Sequence, residues 1–220
     1  MMRSPSLPYV APFAVFLLLL ALMPFLGLAP RVELLLWLVI VGATVLACSR
    51  SVLDLSVKRW AGSAALGAAV FGLWIAPDLL FPAYRESVLF RNPLMAGSGA
   101  SFPLAARDDA TALALRSARA VLLVPLVEEL FWRAWLPRWI VAPDFRTVPL
   151  GAYTAGAFCA TALLFALEHG SYWDVGLLAG VLYNGWMWRT RSLGDCVLAH
   201  AVTNGCLSAY VVAAGQWQYW

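Results

Sequence analysis

Seven runs of apolar residues, most of them close to the length of a bilayer-crossing helix, govern what this chain can fold into. A helix rises about 1.5 Å per residue, so about 20 apolar residues are needed to cross a hydrocarbon core of roughly 30 Å. The runs fall at roughly 11–29, 33–48, 60–81, 117–139, 151–169, 173–188 and 195–214. Inside lipid every backbone N–H and C=O needs an internal partner, and a helix satisfies them within one segment. The expected fold is all-α, a polytopic transmembrane helix bundle of about seven spans, bounded by six and eight. Composition agrees: 62% of the chain is hydrophobic and 12% charged, against about 45–50% and about 25% in soluble domains. The eleven Trp suit the membrane–water interface. The net charge of +3 is too small to point to nucleic acid. Cys48, Cys159, Cys196 and Cys206 form no CxxC pair and read as small apolar fillers rather than a disulfide or zinc framework. The first run has only Arg3 before it and no A-x-A site after it, so it is expected to be retained as a span.

Cations between the runs orient them. Arg50, Lys58 and Arg59 follow the second run, Arg138 and Arg146 the fourth, and Arg189 and Arg191 the sixth. With seven spans all three loops fall on one side, together with Arg3, and the positive-inside rule makes that side cytoplasmic. The longest polar stretch, Pro82 to Thr111, carries Arg85, Glu86, Arg91, Arg107, Asp108 and Asp109. It divides the chain into residues 1–110, with three spans and a polar loop, and residues 111–220, which hold nearly all the intramembrane polar chemistry. Gly176 and Gly180 form a GxxxG that predicts close helix packing, and Gly62, Gly67 and Gly72 predict the same for the third span.

An ionisable side chain near the centre of a span costs at least about 2.5–3.5 kcal/mol on insertion scales, so such groups face a partner or a wet cavity. The fourth span holds Glu128, Glu129 and Arg133. Glu129 and Arg133 are four apart, on one face, with the acid N-terminal as that ion pair prefers. Glu128 is turned about 100° away, less well placed to use Arg133, and so suits a general base. Pro125 removes a helix hydrogen bond and crowds the Val121 carbonyl, which predicts a distortion just before Glu128. The fifth span ends with Phe165 and His169 at i, i+4, and Gly170 marks an end or bend there. The seventh carries His200 and Asn204 at i, i+4, two hydrogen-bond donors in the pattern of an oxyanion hole. These are the only two histidines in the chain.

EExxxR, FxxxH and HxxxN, in that order on three spans, resemble the signature of the CPBP family of intramembrane proteases, which includes the type II CAAX prenyl endopeptidases. The resemblance covers about residues 117–214. It implies a helical bundle whose catalytic groups meet in an intramembrane cavity, acting without a cofactor or bound metal. Residue by residue, Glu128 corresponds to the glutamate that activates water and His169 to the histidine that holds that water. His200 and Asn204 correspond to the oxyanion pair, and Glu129 and Arg133 to the supporting acid and base, with Phe165 beside His169. The implied reaction is endopeptidase cleavage near the carboxyl terminus or membrane anchor of a membrane-embedded or lipid-anchored protein substrate. The implied location is the bilayer, as an integral protein of a bacterial inner membrane. The compact architecture and Trp-rich tail are also similar to the exosortase-associated CAAX-protease-related subgroup.

Other readings use the same residues. Two Glu and two His can supply zinc ligands, although HExxH is missing. The polar trio can also serve packing or partner capture in a non-catalytic, immunity-type membrane protein. A thiol peptidase would need Cys196 or Cys206. On a simple seven-span topology His169 lies toward the outer side and His200 toward the cytoplasmic side. For them to meet, the fifth or seventh span must depart from a straight crossing.

Overall fold

The computed structural model describes residues 4–81, 83–90 and 102–220; Arg3 and Arg91 of the orientation and loop readings lie outside them. Among the described residues the chain is helical and has no strand. Seven long helices carry the fold. These are α1 (Leu7–Leu22), α2 (Pro30–Thr44, continued by a π turn at Val45–Ser49), α3 (Trp60–Leu80), α4 (Ala110–Val141), α5 (Ala155–Glu168), α6 (Trp173–Thr190) and α7 (Leu193–Ala214). Five of them, α1–α4 and α7, are long and apolar enough to cross a membrane. Leucines such as Leu18, Leu46, Leu122 and Leu163 stay exposed along these rods, as a lipid-facing surface requires. The chain is an integral membrane protein.

Two expected spans differ in detail. The fourth begins seven residues before the expected 117, because Asp109 caps it: its carboxylate accepts from the Thr111 and Ala112 amides at 3.0 and 3.1 Å. The fifth, expected over 151–169, is only 14 residues long. Thr154 starts it by accepting from the Ala157 amide at 3.3 Å, and Gly170 at φ +55° ends it. At about 1.5 Å per residue such a helix is shorter than a full crossing; the four missing residues are at its start, and its end still falls at His169.

The distortion expected at Pro125 takes the form of a π-helical turn in α4 at Arg119–Leu123, followed by an α-helical turn Val124–Glu129; a second π turn, Leu130–Trp135, precedes Pro137 in the same way. A widened turn accommodates the proline ring and the missing N–H without breaking the rod.

Small residues set the helix spacings. A Cβ at Gly67 would run into the Ala199 carbonyl oxygen and lie 2.7 Å from Val202 Cβ, so α3 and α7 touch through backbone there. The Thr203 hydroxyl donates to the Gly67 carbonyl at 2.8 Å across the same contact. Gly180 meets Ala162 and Phe165, and Gly176 meets His169, so the GxxxG face of α6 lies on α5. Asn184 seals that pair by donating to the Phe158 carbonyl and the Thr161 hydroxyl, both at 2.9 Å. Gly62 packs on Trp186, but Gly72, expected to act with it, has no neighbour within 4 Å of a Cβ position among the described residues. The buried Asp195 carboxylate accepts the Lys58 and Arg59 amides at 3.1 and 2.8 Å, tying the start of α7 to the start of α3.

Gly67→Ala should wedge α3 from α7, because the clash is with backbone that has no rotamer to change. Overpacking of this kind costs about 1–3 kcal/mol. A lower melting temperature in detergent is the expected outcome, and unchanged stability would contradict the contact.

Candidate active site

Helices α4, α5 and α7 each deliver polar residues singled out in the sequence to one place. Glu128, Phe165, His169, His200 and Asn204 line a single cavity of about 130 Å³, closed by Val70 and Trp74 of α3 and by Ala179 and Tyr183 of α6. Glu129 and Arg133 stand behind its α4 wall, both fully buried.

The back wall is ionic. Glu129 accepts from His200 Nδ1 at 2.9 Å through Oε1, and its Oε2 lies 3.3 Å from Arg133 Nε. The Arg133 N–H is not aimed at that oxygen, so this is a charge contact rather than an aligned hydrogen bond. The guanidinium lies over the Phe165 ring at 4.6 Å and near the Tyr183 ring at 5.7 Å. Aromatic faces stabilise a desolvated cation, so Arg133 is held by one carboxylate and two rings.

His169 is oriented from its own helix. Its Nδ1 lies 2.7 Å from the Phe165 carbonyl oxygen. A carbonyl has no proton to give, so Nδ1 carries the hydrogen and, in the neutral ring, Nε2 keeps its lone pair. The Phe165 ring at 4.6 Å and Trp74 at 5.2 Å hold the imidazole in place. Gly176 lets the ring lie against α6, since a Cβ there would come within 3.1–3.3 Å of His169.

His200 stacks on Tyr183, centroids 5.2 Å apart, and the Tyr183 hydroxyl lies 2.7 Å from the Thr203 hydroxyl. Asn204 donates one amide hydrogen to the Ala120 carbonyl at 2.8 Å. Ala120 lies in the first π turn of α4, where the backbone ladder is disturbed and a carbonyl can accept from a side chain. The second amide hydrogen of Asn204 is not used by this bond.

Glu128 is 6% exposed, and its Oε2 is buried with no hydrogen-bond partner among the described residues. Ligand-type atoms of Glu128, Glu168 and His169 lie within 4.8 Å of one another. Glu168, exposed at the end of α5, is a residue that the motif reading passed over. Its signal was an acid beside a histidine at the end of an apolar run. Tyr183 and Trp74 had no such signal, because an aromatic in an apolar helix looks like any other filler. Cys196 and Cys206 do not line the cavity.

Glu129→Leu should leave the Arg133 charge buried without its carboxylate, at about 3–5 kcal/mol. Glu129→Leu combined with Arg133→Met should recover much of that loss. Equilibrium unfolding in mixed micelles measures both, and equal stability of the single and double variants would argue against a coupled pair.

Residues 110–206 match the family model described as type II CAAX prenyl endopeptidase Rce1-like, which covers all the polar residues above on α4–α7. No curated protein and no solved structure matches the chain.

Proposed function

Taking the CAAX protease family match over residues 110–206 as the premise, we propose that this protein is a glutamate-dependent intramembrane endopeptidase. It cleaves a peptide bond near the carboxyl terminus or membrane anchor of a membrane-embedded or lipid-anchored protein. One observation carries the reading. Glu128, His169, His200 and Asn204, from three helices, line one cavity within a largely apolar bundle.

Water enters between Glu128 and His169. Glu128 accepts one of its protons, and the Nε2 lone pair of His169 accepts the other hydrogen as a bond that fixes orientation. Attack on the scissile carbonyl forms the C–O bond and moves the carbonyl electrons onto oxygen. His200 and Asn204 meet that oxyanion. The Nδ1–H of His200 is committed to the Glu129 carboxylate, so a second donation from Nε2 requires the doubly protonated ring, whose charge Glu129 balances. Asn204 offers its remaining amide hydrogen. Collapse breaks the C–N bond, and Glu128 passes its proton to the leaving amine.

Donors aimed at a developing charge commonly supply about 10²–10³ in rate. Asn204→Ala should therefore lower turnover by about that factor with little change in apparent substrate affinity. Glu128→Gln should abolish cleavage while the protein remains inserted and folded. The decisive assay co-expresses substrates with prenylated or hydrophobic carboxyl-terminal tails and reads the products by mass spectrometry. Cleavage by Glu128→Gln at the wild-type rate would end the assignment.

A second reading has its own observation. Glu128, Glu168 and His169 together offer three oxygen and nitrogen ligands within 4.8 Å, a donor set that zinc accepts, and catalytic zinc takes three protein ligands. In that case the ion would supply the acidity that activates water, and Nδ1–H donation to the Phe165 carbonyl would orient His169 as a ligand. Activity that survives exhaustive chelation favours the metal-free mechanism. Activity lost on chelation and restored by zinc favours the metal.

A further inference from the structure

A second, larger cavity of about 410 Å³ opens where α1 ends and α2 and α4 begin, at the membrane face opposite the Arg-rich loops after α2, α4 and α6. One side of it is apolar, formed by Leu20, Met23 and Leu34. The other side carries Arg116 and Arg119, one turn apart on α4, with Glu33 of α2. The Arg119 guanidinium lies 4.6 Å over the Trp37 ring, and its Nε is buried with no hydrogen-bond partner among the described residues. Arg116 lies 5.3 Å over the Trp220 ring. Neither arginine is within 4.0 Å of a carboxylate oxygen among the described residues, and Glu33 stands in the same cavity without closing on either. Residues 1–3, 82 and 91–101 contain no Asp or Glu, so they hold no side-chain carboxylate that could serve these cations.

Two fixed cations and one carboxylate leave an excess of one positive charge facing an apolar wall. Guanidinium does not shed its proton to relieve this, and its fork matches the oxygens of a phosphate. We propose that this cavity holds the headgroup of an anionic phospholipid from the surrounding bilayer. Its phosphate lies between Arg116 and Arg119, and an acyl chain runs along Leu20, Met23 and Leu34. The position fits that source. The cavity lies at helix ends, where headgroups are found, and basic pockets between membrane helices recognise such lipids. The Arg31 guanidinium donates from Nη2 to Asp109 at 2.9 Å across the start of α2 and α4, so the two walls are clasped at the rim. A zwitterionic lipid would leave the excess charge unbalanced, and a soluble anion would leave the apolar wall bare.

The test uses the full chain purified in detergent. Phosphatidylglycerol, phosphatidylcholine with the same acyl chains, and inorganic phosphate are titrated separately, with bound lipid counted by native mass spectrometry and melting followed in parallel. One phosphatidylglycerol per chain is expected, bound at least about tenfold more tightly than phosphatidylcholine and not displaced by inorganic phosphate. Arg116→Gln with Arg119→Gln should weaken it by about tenfold or more, whereas Lys58→Gln, in a loop on the opposite face, should not. Equal retention of the two lipids, displacement by inorganic phosphate, or undiminished binding by the double variant would each overturn the proposal. If the double variant does not yield folded protein, Arg119→Lys decides, since it keeps the charge but loses the fork. Weaker phosphatidylglycerol binding supports the site, and unchanged binding rejects it.

Discussion

A carboxylate buried at 0% exposure in the middle of a lipid-soluble bundle is the constraint around which the rest of this structure is arranged. Glu129 has to be compensated, and the fold compensates it twice, with Arg133 on its own helix and His200 on α7. Arg133 then needs more than one partner and takes the faces of Phe165 and Tyr183. Those two rings belong to α5 and α6, so one ionic group fixes the approach of four helices. Replacing such a group with apolar side chains is often neutral for stability, so its presence points to positioning rather than to strength. What it positions is His200 on one side and the neighbouring Glu128 on the other.

The helices converge because their contact surfaces are small or notched. Gly67 lets α3 lie on α7 at backbone distance, and Gly176 and Gly180 do the same for α6 on α5. In lipid no hydrophobic force draws helices together, so close van der Waals contact and interhelical hydrogen bonds must suffice. Asn184, Thr203 and Asp195 supply the hydrogen bonds. The cavity survives within this packing because α5 stops after 14 residues and α4 carries π turns on both sides of Glu128. Both departures from regular helix occur where polar side chains gather, and each frees backbone carbonyls that then accept from His169 or Asn204.

The two adjacent glutamates illustrate how a fold divides labour between identical side chains. Glu129 faces the Arg133 guanidinium and the Nδ1–H of His200 and is consumed by them. Glu128, one position along and turned away, has an oxygen without a hydrogen-bond partner among the described residues, beside His169 and Glu168. The first ties α4 to α7, and the second lines the cavity. The residues before 110 are not bystanders either, since Trp74 of α3 braces His169 although it lies outside the matched segment.

The class of fold was legible in the residues alone, because nearly two thirds of the chain is apolar and arranged in bilayer-length runs whose backbone a helix satisfies in lipid. The sequence also singled out Glu128, His169, His200 and Asn204, which the fold brings to one cavity, since a polar or ionisable group in such a run is costly enough to need a partner or a wet pocket. Helical spacing was enough to pair Glu129 with Arg133 and Phe165 with His169, because those partners lie on one helix. Partnerships between helices were not legible. That Glu129 receives His200, that Asn204 is held by Ala120, that Glu168 joins Glu128, and that Trp74 and Tyr183 wall the cavity all depend on how α3–α7 cross. The apparent mismatch in depth between the two histidines likewise dissolves only in three dimensions. Local periodicity sets which face of a helix a residue occupies. Only packing decides which other helix that face meets, and at what height.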